Sequence, residues 1–383
     1  METSTSLSGG HLIGGSDEIA ITIRGGLITS IDPGRLPAPG PGDIDAAGLT
    51  VAPGLIDIQV NGGYGYDFTS DPESIWEVGA RLPDQGVTSF LPTIITSPDQ
   101  SIRAARAAWA ARPHDYRGAE PLGLHLEGPM LSIRRPGIHD PDLMQVPSLD
   151  LVQDWSRQAG VSMVTMAPEL AGARAVIEAL CASQVVVAAG HSAATLEEAE
   201  AGFQWGVTAV THLFNAMEPF DHRAPGLVGA VVRHPTARAG IIADGLHCDP
   251  AVVLAAWRLL GPARLVLVTD AMAATGLGNG HFNLGSVEVR VEHGRVTDSK
   301  GRLAGSTLTQ DRAVRNLVDF AGCSPAEAWA AASSVPADLL GLSDRGQIVA
   351  GSRADLVLLD DGMEVAAAMV GGRIIYTKEG GAT

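Results

Sequence analysis

The segment Gly123-Leu124-His125-Leu126-Glu127-Gly128-Pro129 is a short apolar stretch that ends in a carboxylate and a Gly-Pro turn. It is the third of eight such stretches, which span residues 55–60, 87–92, 122–126, 161–167, 185–189, 208–211, 241–243 and 265–269. Segments with helical patterns alternate with them. This alternation predicts a (β/α)8 TIM-like barrel, an α/β fold in which the C-terminal strand ends converge on one site.

A polar residue stands at or just past the end of each of these strands. In chain order these residues are Asn61, Thr93, Glu127, Glu169, His191, His212, Asp244 and Asp270. Glu127, His191 and His212 form the carboxylate and imidazole set that holds a catalytic zinc and leaves one position open for water. Asp270 is placed to act as the general base. Each residue alone has an ordinary role as a cap or a buried polar group, but the combination predicts a metal-dependent hydrolase.

Further polar groups follow in loops at the same end of the barrel. Of His139 and His247, one is placed to polarise a carbonyl group and the other to bind substrate, although either is also compatible with a solvated histidine. Arg223 is a candidate clamp for an anion, with a surface arginine as the alternative. Backbone amides near Asn215 and Ala216 can add donors to the same anion.

Composition narrows the class of partner. The chain has 383 residues, 45% of them hydrophobic, and a net charge of −17, which argues against nucleic acid and anionic membranes as partners. The three cysteines, Cys181, Cys248 and Cys323, are widely spaced, which favours a reducing compartment. No signal-peptide pattern and no apolar stretch long enough to span a membrane is found.

The two chain ends are rich in β-strand patterns and in Gly/Pro turns, including one at residues 37–41. We predict strands at residues 19–23, 26–31, 44–46, 354–359, 365–370 and 373–377. Neither end has enough apolar residues to fold alone. We therefore predict a small β-sandwich domain built from residues 1–52 and 340–383, beside a barrel that spans residues 53–339.

Helices and one further β pair complete the prediction. Helices are expected at residues 101–111, 196–205, 250–260 and 309–321, with a capping box from Thr195 to Glu198. The β pair covers residues 286–291 and 295–298, joined by a turn at His293-Gly294. Gly371-Gly372 is a second tight turn.

Seven motifs together resemble the N-acetylglucosamine-6-phosphate deacetylase family of the amidohydrolase superfamily. In chain order the motifs are Pro53-Gly54-Leu55-Ile56-Asp57, Leu124-His125-Leu126-Glu127-Gly128-Pro129, Gly190-His191-Ser192, Thr211-His212-Leu213-Phe214-Asn215-Ala216-Met217, Asp244-Gly245-Leu246-His247, Val268-Thr269-Asp270-Ala271 and Leu303-Ala304-Gly305-Ser306-Thr307-Leu308. They cover nearly the whole chain, and the set in this order is highly specific for the family. No single motif is specific on its own.

The resemblance implies a role for each matched residue. Metal ligands fall on Glu127, His191 and His212, the general acid/base on Asp270 and the carbonyl-polarising group on His139. Substrate contacts fall on Arg223, His247, the backbone at Asn215 and Ala216, and the loop around Leu308. A cytoplasmic homodimer or homotetramer is implied, in which an anion-binding residue can cross from a neighbouring subunit.

Strand one departs from a common amidohydrolase pattern. Where many members carry His-x-His, this chain carries Gln59-Val60-Asn61. Amides are weaker zinc ligands than imidazole, so we expect one divalent metal, Zn²⁺, per chain. Gln59 and Asn61 are assigned to substrate binding instead.

The predicted reaction is hydrolysis of N-acetyl-D-glucosamine 6-phosphate to D-glucosamine 6-phosphate and acetate. The metal activates the attacking water, and Asp270 takes and later returns the proton. Two alternatives stay open: another amidohydrolase, acting on a related N-acyl amino sugar or a cyclic amide, and a barrel that has kept the fold without activity.

Overall fold

The structure is a computed structural model that describes residues 4–35 and 42–378. The predicted turn at residues 37–41 lies outside the described residues, as do the two extreme ends of the predicted small domain. The strands are β1 (Ser4–Leu12), β2 (Glu18–Arg24), β3 (Leu27–Pro33), β4 (Ile44–Asp45), β5 (Thr50–Pro53), β6 (Leu55–Val60), β7 (Gly62–Gly63), β8 (Tyr66–Asp67), β9 (Val87–Ile95), β10 (Glu120–Pro121), β11 (Leu124–Glu127), β12 (Val161–Met166), β13 (Val186–Ala189), β14 (Ala209–Val210), β15 (Arg238–Ile241), β16 (Leu265–Leu267), β17 (Gly280–Leu284), β18 (Val287–Glu292), β19 (Arg295–Asp298), β20 (Leu356–Leu359), β21 (Val365–Val370) and β22 (Arg373–Thr377).

The helices lie mainly between the barrel strands. They are α1 (Ile75–Arg81), α2 (Asp99–Ala110), α3 (Leu149–Val152), α4 (Ala173–Ala182), α5 (Leu196–Trp205), α6 (Gly226–Arg233), α7 (Pro250–Leu260), α8 (Gln310–Ala321), α9 (Pro325–Ala330) and α10 (Ser334–Leu339). The predicted capping box is present, because the Thr195 side chain accepts from the backbone of Glu198 and the Glu198 side chain accepts from the backbone of Thr195. Within the described residues, none of these helices is long and apolar enough to cross a bilayer.

Eight parallel strands form the barrel in the order β6-β9-β11-β12-β13-β14-β15-β16. A parallel bridge between Val60 and Ala271 joins the first strand to the chain just past the eighth. Strands such as β6 and β9 are buried along their whole length, because helices cover one face and the barrel interior fills the other. The (β/α)8 barrel predicted from the apolar stretches is therefore confirmed.

The seventh strand begins earlier than the apolar pattern indicates. The prediction placed it at residues 241–243, whereas β15 spans Arg238–Ile241. Residues 239–243 are all buried, so composition alone does not show which part pairs. Pairing decides it, since Ala239 faces Val210 on one side and Leu265 on the other.

The strands from both chain ends form one hydrogen-bonded sheet in the order β22-β21-β20-β5-β1-β2-β3, with β4 paired to β1. An antiparallel bridge from Leu27 to Arg353 draws the two ends of the sheet together around a separate core that includes Leu7, Ile21 and Leu356. The sequence missed β1, whose serines and glycines have low strand propensity and which is held by its neighbours. The domain boundaries at 1–52, 53–339 and 340–383 stay a prediction.

A three-stranded antiparallel sheet, β17-β18-β19, stands over the mouth of the barrel. It contains the predicted β pair and one strand, β17, that the sequence did not reveal. The predicted turn at His293-Gly294 is present, with positive φ at both residues. The core of this small sheet includes Ile138 and Met272, so the sheet packs against the loop that carries His139.

Candidate active site

Three of the predicted site residues lie directly past strand ends in the left-handed backbone region. His191, His212 and Asp270 have φ of 47°, 27° and 51°. Each such conformation costs a non-glycine residue on the order of 1–3 kcal/mol, and it persists only where the surrounding structure enforces it. The sharp turns at the ends of β13, β14 and β16 bring these side chains together at one end of the barrel.

Glu127, His191 and His212 meet around one point. Oε1 of Glu127 lies 3.1 Å from Nε2 of His191 and 2.9 Å from Nε2 of His212, and the two Nε2 atoms are 3.2 Å apart. Ligands of a tetrahedral zinc at roughly 2.0–2.1 Å stand about 3.3 Å from one another. The three donors therefore have nearly the spacing of one face of such a site.

The hydrogen bonds of the two histidines also fit a cation. Nδ1 of neutral His191 donates to the carbonyl of Arg135 at 3.2 Å, which leaves the lone pair of its Nε2 facing the Glu127 carboxylate. Two acceptors held so close are stabilised by a cation between them. Nδ1 of His212 is buried without a hydrogen-bond partner in the described structure. The donor set present thus fits a divalent metal.

His139 also lies near this cluster, and Glu127, His139 and His191 form a second geometrically possible ligand group. The backbone N–H of Thr96 donates to Nδ1 of His139 at 3.3 Å, so this nitrogen is an acceptor and Nε2 carries the proton. Burial, reinforced by the neighbouring imidazole of His191, lowers the pKa of His139 to about 3. A neutral His139 with a proton on Nε2 suits a hydrogen-bond donor better than a metal ligand.

Two amides from the end of β6 hold the carboxylate of Asp270. Oδ1 of Asp270 accepts from Nδ2 of Asn61 at 2.7 Å and from Nε2 of Gln59 at 3.2 Å, and the Gln59 amide also reaches Glu127 at 3.2 Å. Oδ1 of Asn61 is buried and has no partner in the described structure. Gln59 and Asn61 therefore occupy the place of the His-x-His pattern and orient acidic groups there.

The environment shifts the pKa values of the two acidic groups of the site, Asp270 and Glu127, in opposite directions. Burial raises the pKa of Asp270 to about 6, and the negative charge of Glu127 adds to the shift. Burial alone would raise the pKa of Glu127, but its close contacts with the imidazoles of His191 and His212 hold the pKa well below its usual range. Glu127 thus stays ionised, while Asp270 exchanges a proton at a pH closer to neutral.

These groups line one cavity of about 370 Å³, the size of a small-ligand pocket. The predicted residues on its wall are Asn61, Glu127, His139, His191, His212, Asn215, Ala216, His247 and Asp270. Nδ1 of His247 bonds to Asp244 at 2.7 Å, and the half-buried Asp244 has its pKa lowered, because this bond and the charge of His247 outweigh the effect of burial. The structure therefore brings together most of the residues that the sequence singled out.

Arg223 and Leu308 do not line this cavity. Arg223 is exposed and lies in a neighbouring surface pocket, and Leu308 is buried beside another one. Three other arginines reach the cavity instead: Arg134, Arg135 and Arg302. Sequence reasoning missed them, although Arg134-Arg135 is the only adjacent pair of arginines in the chain and stands in the same loop as His139.

Comparison with known proteins places the chain among enzymes of one kind. Residues 50–375 match the model of the amidohydrolase family, whose members depend on a metal. An N-acetylglucosamine-6-phosphate deacetylase of Bos taurus is 42% identical over 351 residues, which cover 88% of this chain and 85% of the relative.

Two solved structures of deacetylases with the same name share the fold. The protein from Pasteurella multocida has a TM-score of 0.91 and 29% identity, covering 98% of this chain and 100% of that one. An aspartate-to-alanine mutant from Mycobacterium smegmatis, in complex with N-acetyl-D-glucosamine-6-phosphate, has a TM-score of 0.87 and 33% identity with the same coverage.

Proposed function

Because the chain belongs to the amidohydrolase family and, within it, to the N-acetylglucosamine-6-phosphate deacetylases, we propose that it hydrolyses N-acetyl-D-glucosamine 6-phosphate at the Glu127, His191 and His212 site. The products are D-glucosamine 6-phosphate and acetate. The observation that carries this proposal is the convergence of one carboxylate and two imidazoles beside Asp270, on the wall of a sugar-sized cavity.

The chain's own residues account for the proton transfers. A bound divalent metal supplies Lewis-acid activation of water and of the acetyl carbonyl. Asp270 accepts the proton of the attacking water, since its Oδ1 is held by the two amides and its pKa of about 6 suits both uptake and release. Nε2–H of His139 donates to the carbonyl oxygen as negative charge develops on it. Asp270 then protonates the departing amine.

We assign one Zn²⁺ to each chain. Glu127, His191 and His212 would be its ligands, because their spacing and hydrogen bonds leave their donor atoms facing one point. The amides of Gln59 and Asn61 are used to hold Asp270 and Glu127, so strand one offers no imidazole to a second ion. His247 and the buried acceptor of Asn61 remain for the hydroxyl and amide groups of the sugar.

The phosphate of the substrate requires positive charge in an acidic protein. The backbone at Asn215 and Ala216 lines the cavity, with Ala216 in the left-handed region at φ 50°. Arg223, exposed and outside the cavity of its own chain, would reach the phosphate of a neighbouring subunit in a homodimer or homotetramer. The loop before Leu308, which contributes Leu303 and Gly305 to the cavity, would close over the sugar.

A cytoplasmic location fits the thiols of this chain. Cys181, Cys248 and Cys323 are all free, as expected in a reducing compartment. With a net charge of −17, the partners we propose are the phosphorylated sugar and further copies of the chain, with no nucleic acid and no membrane.

Acetate release tests the proposed activity. Purified enzyme supplied with Zn²⁺ should release acetate from N-acetylglucosamine 6-phosphate with a much higher kcat/KM than from N-acetylglucosamine. Equal turnover of the two sugars would contradict the assignment of a phosphorylated substrate. Turnover of a cyclic amide, with none of either sugar, would favour the alternative amidohydrolase activity.

A further inference from the structure

A second strongly polar cavity lies at the other end of the barrel. It measures about 260 Å³, and its wall includes Arg112, Arg117, Arg353, Arg373, Tyr116 and Glu120. Glu120 pairs with Ser89 near the start of β9, whereas Ile95 at the end of the same strand lines the active-site cavity. This arginine pocket therefore lies at the N-terminal face of the barrel, where the terminal β sheet meets it.

Two acidic groups offset only part of its positive charge. Nη1 of Arg112 lies 2.5 Å from Glu120, and Nη2 of Arg353 lies 4.0 Å from the same carboxylate. Nε of Arg353 also donates to Asp355 at 2.9 Å, and its guanidinium packs against the backbone of Gly371. Arg353 is thus fixed, half-buried, in the pocket wall.

The other two arginines of the pocket remain available to a ligand. Arg117 and Arg373 are exposed, and neither forms an ion pair or a side-chain hydrogen bond with any residue in the ranges 4–35 and 42–378. Four guanidinium groups against two carboxylates give the pocket an excess of about two positive charges. In a chain with a net charge of −17, a bound anion would stabilise this concentration of like charge.

We propose that the arginine pocket binds a small anion that carries a phosphate group. Guanidinium groups match phosphate oxygens with paired hydrogen bonds, and four of them surround this space. The volume lies just below the roughly 300–1,000 Å³ of drug-sized ligand pockets, so it suits a phosphate ion or a compact phosphorylated metabolite. The site is separate from the catalytic cavity and does not depend on the proposed reaction.

Calorimetric titration of the zinc-loaded enzyme tests this proposal with two probes, inorganic phosphate and 3-phosphoglycerate. The double variant R117A/R373A should weaken binding of at least one probe by about tenfold or more, since hydrogen bonds to a charged group are lost. Because both residues lie at the face of the barrel opposite the active site and do not line its cavity, kcat and KM for acetate release should not change. Tighter binding of 3-phosphoglycerate would identify a phosphorylated metabolite as the ligand, and equal affinity would identify free phosphate.

The matched control is R258A/R295A, which removes two exposed arginines that line neither cavity. It should leave the affinity for both probes unchanged. Anions that bind the catalytic cavity are measured separately, as competitive inhibitors of acetate release. The proposal is overturned if R117A/R373A binds both probes as tightly as the parent, or if the control loses as much affinity as the double variant.

Discussion

Asp270 combines three features that single it out as the proton carrier. Its backbone is strained, its Oδ1 is held by two amides, and burial raises its pKa to about 6. A substitution that keeps the shape but removes the ability to take a proton isolates this role.

D270N should lower kcat by at least about 10²-fold, the scale of general acid–base catalysis. Asparagine fills the same space, so the fold and the bound zinc should be retained. Acetate release and metal content, measured on the same sample, check this. Activity within a few-fold of the parent would show that another group carries the proton.

Asp57 is a second buried carboxyl group, and burial makes its ionisation unfavourable in the folded protein. Oδ2 of Asp57 accepts from the hydroxyl of Thr269, the residue before Asp270, at 2.6 Å. Burial raises its pKa to about 7, against the opposing effect of this hydrogen bond. The folded state holds this proton more tightly than the unfolded state does. The contribution of Asp57 to the free energy of unfolding is therefore fully present below about pH 4, the pKa of an unfolded aspartate, and is lost as the pH rises through about 7.

D57N should therefore flatten the pH dependence of stability. Between pH 5 and pH 8 the parent should lose more free energy of unfolding than D57N, by on the order of 1 kcal/mol or more, since one unit of pKa difference corresponds to about 1.4 kcal/mol. Denaturant unfolding of both zinc-loaded proteins at the two pH values measures this difference. Parallel pH profiles would mean that Asp57 is ionised throughout the range.

At the scale of elements, a hydrogen bond from Arg302 adds to the apolar packing between the small sheet over the barrel mouth and the catalytic loop. Arg302, just past β19, donates from Nη1 to the carbonyl of Gly137 at 2.5 Å and from Nε to Asp298 at 2.8 Å. Gly137 stands two residues before His139. Arg302 is therefore a positioning residue for the loop that carries the proposed oxyanion donor.

R302A should lower kcat several-fold to about tenfold through His139, with unchanged zinc content, since misplacement of a catalytic group lowers the rate. In the background of H139A, the same substitution should have little further effect on kcat. A double-mutant cycle on kcat measures this coupling. Additive losses would show that Arg302 acts on the substrate directly.

The apolar pattern of the sequence predicts a strand well where the strand is buried on both faces, because every residue in it is then apolar or buried. β6 matches its predicted bounds because all of its residues are buried. β1 and β17 were missed because pairing with neighbours, rather than their own residues, makes them strands. Arg302 was likewise missed, since its contact with Gly137 joins positions that only the tertiary structure brings together.

At the scale of the whole molecule, Arg223 is the clearest difference between the predicted site and the site of the single chain. The family resemblance assigns Arg223 to the substrate, yet it is exposed and outside the cavity of its own chain. In the proposed homo-oligomer, Arg223 would reach the substrate of a neighbouring subunit, which would reconcile the two observations.

Mixing R223A and D270N subunits tests this arrangement. Each variant alone should have a poor kcat/KM for the phosphorylated sugar. Random exchange into dimers should restore about a quarter of the parent activity, because half of the dimers then contain one site with both residues. Activity equal to the average of the two separate variants would place Arg223 at the site of its own chain or away from the substrate altogether.

The central claim of this account is that Glu127, His191 and His212 hold the metal while His139 does not. Mass-spectrometric metal analysis of zinc-loaded protein tests it directly, with H139A as the matched control for H191A, H212A and E127A. The account predicts about one zinc per chain in the parent and in H139A, and a clear loss in the other three variants. Loss of zinc in H139A, with full retention in H212A, would contradict it and assign the metal to the alternative group of Glu127, His139 and His191.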